Sequence, residues 1–149
     1  MAGAGPTSRS RVLALDYGSA RCGCALSDPT GTLATPIEPV LRPATRRGIG
    51  RLAELVRERE VGRVVVGLPL SLSGADTAQT EETRAFAARL AERLGPDVPV
   101  ELYDERLTTV QARRHESASA RPKASLDSRA AAHLLEAWLA ARPDRGDFA

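Results

Sequence analysis

Apolar residues come in short unbroken runs early in the chain and at helical spacing later. Val12-Leu13-Ala14-Leu15 is such a run, closed by Asp16. It predicts a buried strand over about 11–16, followed across Tyr17-Gly18-Ser19 by a second over about 21–27. Gly18 permits the sharp return of a hairpin. A third strand, about 32–41, contains Pro36 and Pro39, which lack ladder donors and so suit a sheet edge. Ile49, Leu52, Ala53 and Val56 then recur with Arg and Glu between them, predicting an amphipathic helix that ends near Gly62.

Val64-Val65-Val66-Gly67 has no alternation, as befits a central parallel strand covered on both faces. Leu68 to Gly74 form a Ser- and Gly-containing loop. Asp76 or Thr77 can cap a second helix, in which Phe86, Leu90 and Leu94 are spaced by four until Gly95-Pro96 stops it. Val98, Val100 and Leu102 alternate as a strand running into Asp104-Glu105-Arg106. A short helix, about 108–116, a small polar loop, Ser117 to Ala124, and a final helix, about 126–141, complete the chain. Three hairpin-linked strands followed by helix-linked ones make a mixed sheet covered by helices, an α/β fold.

Composition narrows the class. The 149 residues, 42% of them hydrophobic, suit one domain over 11–141, with a small, polar, disordered tail at 1–10 and a second tail at 142–149. No apolar stretch approaches membrane-spanning length and the N-terminus lacks a signal segment, so a cytoplasmic protein is expected. Cys22 and Cys24 lie on one face of a strand, and no suitably spaced ligand completes a zinc site, so both read as small buried hydrophobes. A net charge of +2 does not announce nucleic acid, and because Lys123 alone among 21 basic residues is lysine, the arginine content follows a coding bias.

Candidate chemistry lies in the acids. Asp16 ends the first strand, and Asp104 and Glu105 end the last, on the side where α/β sheets place ligands. In the final helix Ala131, Leu134, Leu135, Trp138 and Leu139 form an apolar stripe, and Asp127, four residues before Ala131, shares that face. Two unit charges 4 Å apart repel by about 4 kcal/mol at an effective dielectric of 20, so converging acids need a cation or a proton. Hard oxygen ligands favour Mg²⁺ or Mn²⁺, ions that serve phosphodiester cleavage. Structural roles compete: dipole compensation for Asp127, helix capping for Asp104, a turn or arginine partner for Asp16, and a plain turn for Asp28. His115 and His133 read as surface positions.

Four segments in order carry a resemblance: Leu15-Asp16-Tyr17-Gly18, Val66-Gly67-Leu68-Pro69-Leu70 with Gly74, Asp104-Glu105-Arg106-Leu107-Thr108-Thr109, and Lys123 with Leu126-Asp127 and Ala130-Ala131-Ala132. Over about residues 11–141 the chain resembles the YqgF/RuvX family of bacterial ribonuclease H-like proteins. That resemblance implies a five-stranded mixed sheet of order 3-2-1-4-5 flanked by helices. It implies a metal-dependent nuclease, using Mg²⁺ or Mn²⁺, that matures the 5′ end of pre-16S rRNA in ribosome biogenesis. Asp16, Glu105 and Asp127 become the catalytic and metal-binding acids. Asp104 is the secondary candidate, since strand alternation aims it away from Glu105. Arg106, Arg121, Lys123, Ser71 and Gly74 become the substrate-binding residues. Arg121-Pro122-Lys123 departs from the Lys- and Gly-richer stretch of many relatives.

Other functions remain open on sequence alone. A four-way DNA junction could replace rRNA as substrate, acted on by a resolvase that would favour a homodimer over a monomer. A non-catalytic ribosome-assembly factor would bind nucleic acid without turnover, although three acids facing phosphates would hinder a pure binder. A sugar-kinase or actin-like ATPase shares the opening strand and hairpin, but it needs two such domains. Aromatic residues make up only 3% of the chain, which disfavours recognition by base stacking.

Overall fold

The computed structural model describes residues 11–108 and 128–142. Residues 1–10, 109–127 and 143–149, which include the expected tails, the short helix, the loop with Arg121 and Lys123, His115 and Asp127, lie outside the described residues. The strands are β1 Arg11–Asp16, β2 Arg21–Ser27, β3 Ala34–Leu41, β4 Val61–Leu68 and β5 Val100–Asp104. The helices are α1 Arg46–Glu58, α2 Ala78–Leu94 and α3 Arg129–Ala141, with a 3-10 turn over Glu105–Thr108.

One sheet contains all five strands in the order β3-β2-β1-β4-β5, as the family resemblance implied. The two hairpins are antiparallel, and β1, β4 and β5 run parallel. Alternation sorts the sheet's side chains into two cores. Leu13, Leu15, Val64 and Val66 pack with Leu52, Phe86 and Leu90 of α1 and α2. Val12, Ala14 and Val65 pack with Leu134, Leu135 and Trp138 of α3. The middles of the central strands, residues 12–15 and 64–66, are therefore apolar at every position because both of their faces are covered.

Several boundaries differ from the sequence reading, among them the start of α3, at Arg129 after Ser128 rather than at about 126. α1 stops at Glu58 rather than near Gly62, and Glu60 takes the left-handed conformation (φ 56°). The chain is thereby turned early, and β4 begins at Val61, paired with Arg11. His133 is buried, not on the surface, with Nδ1 3.5 Å from Glu136 Oε1. Residues 131–135 are all buried, which takes in more than one face of a helix, so α3 is covered beyond its sheet-facing stripe. Thr77, not Asp76, caps α2, exchanging hydrogen bonds with Thr80.

Ser128 ties α3 to the sheet. Between the Cys22 and Cys24 pairings β2 advances two residues while β3 advances three, a bulge at the edge. The buried Ser128 hydroxyl enters there, accepting from Cys24 N (2.9 Å) and donating to Ile37 O (2.6 Å).

A second tie closes the corner between β3 and α1. Arg42 lies in the left-handed region (φ 45°), and Thr45 caps α1 by accepting from Gly48 N while donating to Arg42 O. A Cβ on Gly48 would fall 2.2 Å from Arg42 O, so only glycine admits this approach. The first turn of α1 carries Arg46 and Arg47 and no acid, an arrangement that costs about 0.3–1 kcal/mol per cation against the helix dipole.

The two glycines of α1 make a paired test. Gly48→Ala should destabilise the chain by about 1–3 kcal/mol through backbone overlap. Gly50→Ala meets nothing within 4 Å and should stabilise it by about 0.5–1 kcal/mol. Urea denaturation of the two variants checks both signs.

Candidate active site

The parallel strands β1, β4 and β5 end on one edge of the sheet, and acids stand at that edge. Val12 and Ala14 face α3, so Asp16, two residues further along β1, emerges on the same side. On β5, Tyr103 packs in the α3 core and Glu101 accepts from Trp138 Nε1 at 3.0 Å, and Glu105 continues their parity. β1 and β5 lie two strands apart, about 10 Å at the usual spacing. The side chains of Asp16 and Glu105 close that distance over β4 and hydrogen-bond to each other.

Gly67 makes the meeting possible. A Cβ there would lie 3.1 Å from Glu105 Oε2, 3.2 Å from its Cγ and 3.3 Å from Leu134 Cδ2. Any side chain on β4 at this position would thus press on Glu105 and Leu134. Sequence reasoning placed Gly67 at the end of a central strand and in a family motif and gave it no role in the site; the visible signal was a glycine ending an apolar run on a central strand.

The pair is electrostatically strained. Burial, then the charge and hydrogen bond of Asp16, push the Glu105 carboxyl up to about 7. Burial also raises Asp16, partly offset by the hydrogen bond from Glu105. Burial and mutual charge thus favour keeping a proton on the pair, with the hydrogen bond between them raising Glu105 and lowering Asp16. Their oxygens suit a hard divalent cation, whose charge would replace that proton. Among the described residues no group of three metal-ligating side chains gathers. Asp127, expected to be the third acid, precedes Ser128 in the chain and lies outside the described residues.

The other expected residues fall into a separate network. Asp104 turns away from the pair and accepts from Arg106 Nε (3.0 Å), Nη2 (2.7 Å) and backbone N (2.9 Å). That ion pair, together with the cap on the 3-10 turn, holds its carboxyl below the usual range. Arg106 Nη1 donates to Leu72 O at 3.3 Å, so the guanidinium clasps the β4–α2 loop to the end of β5. One N–H remains on each terminal nitrogen of Arg106 for another acceptor. Ser71 and Gly74 shape that loop from within: Ser71 Oγ accepts from Ala75 N, and Gly74, at φ 88°, donates to Ser71 O.

Tyr17, given no role by the sequence reading, pins the end of β1. Its ring stacks on Phe86 and its hydroxyl donates to Glu82 at 2.8 Å. Burial and Glu82 push the phenol up to about 12. Cys22 and Cys24 are free, buried thiols, as expected. Asp28 is a turn acid, accepting from Thr32 N and Leu33 N.

The acid pair sets the sign of a pH effect. Between the ordinary value of 4.5 and about 7 the folded chain holds more protons at Glu105 than the unfolded chain does. The pair's contribution to stability therefore falls as pH rises through that window. Without divalent ions, Asp16→Asn should melt higher than the parent at pH above 7, the gap closing below 4.5. Thermal melts in chelator check it; a variant less stable throughout would refute the strain. Gly67→Ala should displace Glu105 and cost about 1–3 kcal/mol of stability.

Comparison with known proteins agrees with this architecture. A Thermus thermophilus RuvC solved in complex with Holliday junction substrate superposes with a TM-score of 0.56 at 18% identity, covering 89% of this chain and 98% of that one. The shared fold, with sheet order 3-2-1-4-5, is ribonuclease H-like. A Mycobacterium leprae protein named "Putative pre-16S rRNA nuclease" is 46% identical over 147 residues, covering 93% of this chain and 79% of the relative. One of the same name from Maridesulfovibrio salexigens is 40% identical over 134 residues, covering 87% and 98%. The model of the family described as "RuvX: Holliday junction resolvase" matches residues 10–141, which take in every described strand and helix, and the chain belongs to the RuvX (YqgF) family.

Proposed function

We propose that this chain is a metal-dependent nuclease that hydrolyses phosphodiester bonds at the 5′ end of pre-16S rRNA. The observation that carries the reading is the meeting of Asp16 and Glu105 over Gly67 at the ligand-binding edge of the sheet. A pure scaffold gains nothing from two half-buried carboxyls held in mutual repulsion. Asp16 and Glu105, with Asp127 as the third acid, would hold Mg²⁺ or Mn²⁺. When bound, such an ion activates water and stabilises the leaving oxygen.

The chain's own groups divide the remaining work. Asp16 and Glu105 define where the reacting phosphate must sit. Arg106, fixed in orientation by Asp104, offers its two remaining N–H groups to phosphate oxygens from the adjacent strand end. Ser71 and Gly74 keep the neighbouring loop in shape. Arg121 and Lys123 would add phosphate contacts that position the substrate without reading its sequence. Relatives named for pre-16S rRNA support RNA as the substrate. Branched DNA is the second reading, favoured by the fold shared with a junction-bound resolvase and by the family's description. The reaction takes place in the cytoplasm, by a monomer or a homodimer.

Cleavage of a pre-16S rRNA fragment and of a four-way DNA junction, side by side with Mg²⁺, Mn²⁺ or chelator, decides the substrate. Asp16→Asn and Glu105→Gln should each lower cleavage by about 10²–10³-fold or more. Asp104→Asn should retain cleavage and lose about 0.5–2 kcal/mol of stability through its cap. Asp127→Asn should follow Asp16→Asn; a change of only about 0.3–1 kcal/mol in stability would leave it a dipole residue. Full cleavage by Asp16→Asn at millimolar metal would refute the assignment.

A further inference from the structure

The sheet edge that carries the acid pair continues past β1 to a second cluster, of the opposite charge. Arg21 at the start of β2 is in register with Leu41 at the end of β3, and Arg42 N donates to Ala20 O. The corner at Arg42 therefore lies on the same edge as Asp16, two strands away. Arg42, Arg46 and Arg47 are all exposed and form no ion pair among the described residues. Residues 39–53 contain no Asp or Glu, so no acid near in sequence can neutralise them.

Local structure gives no reason for these charges. Arg51, one turn further on, is paired with Glu54 and Glu58. Arg57 and Arg93 occupy the last turns of α1 and α2, where the helix dipole favours a cation. Arg46 and Arg47 sit in the first turn of α1, where the dipole opposes one. The backbone of this corner is also held firmly in place. Thr45 bridges Arg42 O and Gly48 N, and Gly48 leaves room for the backbone of Arg42 and Pro43 against the helix. A corner with a fixed backbone thus presents three guanidinium groups, unpaired among the described residues, at the end of the sheet where the acids lie.

We infer that Arg42, Arg46 and Arg47 form a second binding track for the phosphate backbone of the substrate, separate from the acid pair and from Arg106. The inference rests on the nuclease reading above. It deepens that reading by saying where the strand runs on leaving the acids. Two strand spacings put Arg42 about 10 Å along the edge from Asp16. That distance equals about three base-pair rises of 3.4 Å. The track therefore engages phosphates within a few nucleotides of the bond that is cut. A nucleic-acid backbone fits better than an acidic protein surface, because the track shares the sheet edge with the site at which a phosphodiester would be cleaved, Arg46 and Arg47 on the α1 side of the sheet and the acids on the α3 side.

Binding, not cleavage, tests the track, so its failure is distinguishable from failure of the nuclease reading. A labelled RNA duplex and a DNA duplex of the same sequence are titrated across a salt series. The proteins are the parent, the triple variant Arg42→Gln, Arg46→Gln, Arg47→Gln, the double variant Arg46→Gln, Arg47→Gln, and an opposite-edge control, Arg57→Gln with Arg93→Gln. The triple variant should bind both duplexes about tenfold or more weakly, its log K against log salt plot shallower by about 2–3 units. The double variant, which leaves the Arg42 corner intact, should lose about 2 units of slope. Both should melt no lower than the parent, since cations leave a helix N-terminus. The control should keep the parental slope. Parental affinity and slope in the triple variant would overturn the track, and so would an equal loss in the control. A loss confined to one duplex would contradict recognition of the phosphate backbone.

Discussion

Two carboxyl groups held together against their own repulsion organise this molecule. Asp16 and Glu105 flank a strand that is neighbour to both, and Gly67 on that strand leaves room for the Glu105 side chain to reach across it. Burial raises the pKa of both and favours keeping a proton on the pair. The surrounding structure resists their separation. Tyr17 anchors the end of β1 to α2 through Phe86 and Glu82, and Asp104 with Arg106 anchors the end of β5 to the β4–α2 loop. Strain of this kind persists where the rest of the fold over-determines the geometry.

The arginines at the start of α1 repeat the pattern with the sign reversed. Helix α2 follows ordinary electrostatics, with Glu81 in its first turn and Arg93 in its last, whereas α3 opens on Arg129 with no acid in its first turn. At Arg46 and Arg47 the rule is broken, and the break falls on the same sheet edge as the acids. One edge therefore concentrates unfavourable negative and unfavourable positive charge, each relieved by a ligand of the opposite sign: a divalent cation for the carboxyls and phosphates for the guanidinium groups. A nucleic-acid strand with its metal supplies both.

Much of this could be read from the sequence. The unbroken apolar runs at 12–15 and 64–66 announced central strands, and the alternation through Val100 and Leu102 fixed the parity that separates Glu105 from Asp104. Asp104 as a cap and Asp28 as a turn acid also hold. The misreadings share one cause: tertiary contacts override local preference. Glu60 took a left-handed position because Val61 was needed to pair with Arg11, and His133 was buried because α3 is covered on more than one face. Ser128, filling a bulge about a hundred residues earlier in the chain, left no local signal, nor did the clearance at Gly67. The order of the strands came from resemblance to a family; patterning alone gives only the presence of strands.

The most direct test of the acid pair measures protons along with metal. Calorimetric titration of Mg²⁺ or Mn²⁺ at pH 7, in buffers of differing ionisation enthalpy, gives the number of protons released per ion. With the Glu105 carboxyl near 7 and hydrogen-bonded to Asp16, binding should release about half a proton. Glu105→Gln should abolish that release and weaken the metal. Metal binding with no proton release, or unchanged in both Asp16→Asn and Glu105→Gln, would contradict the account.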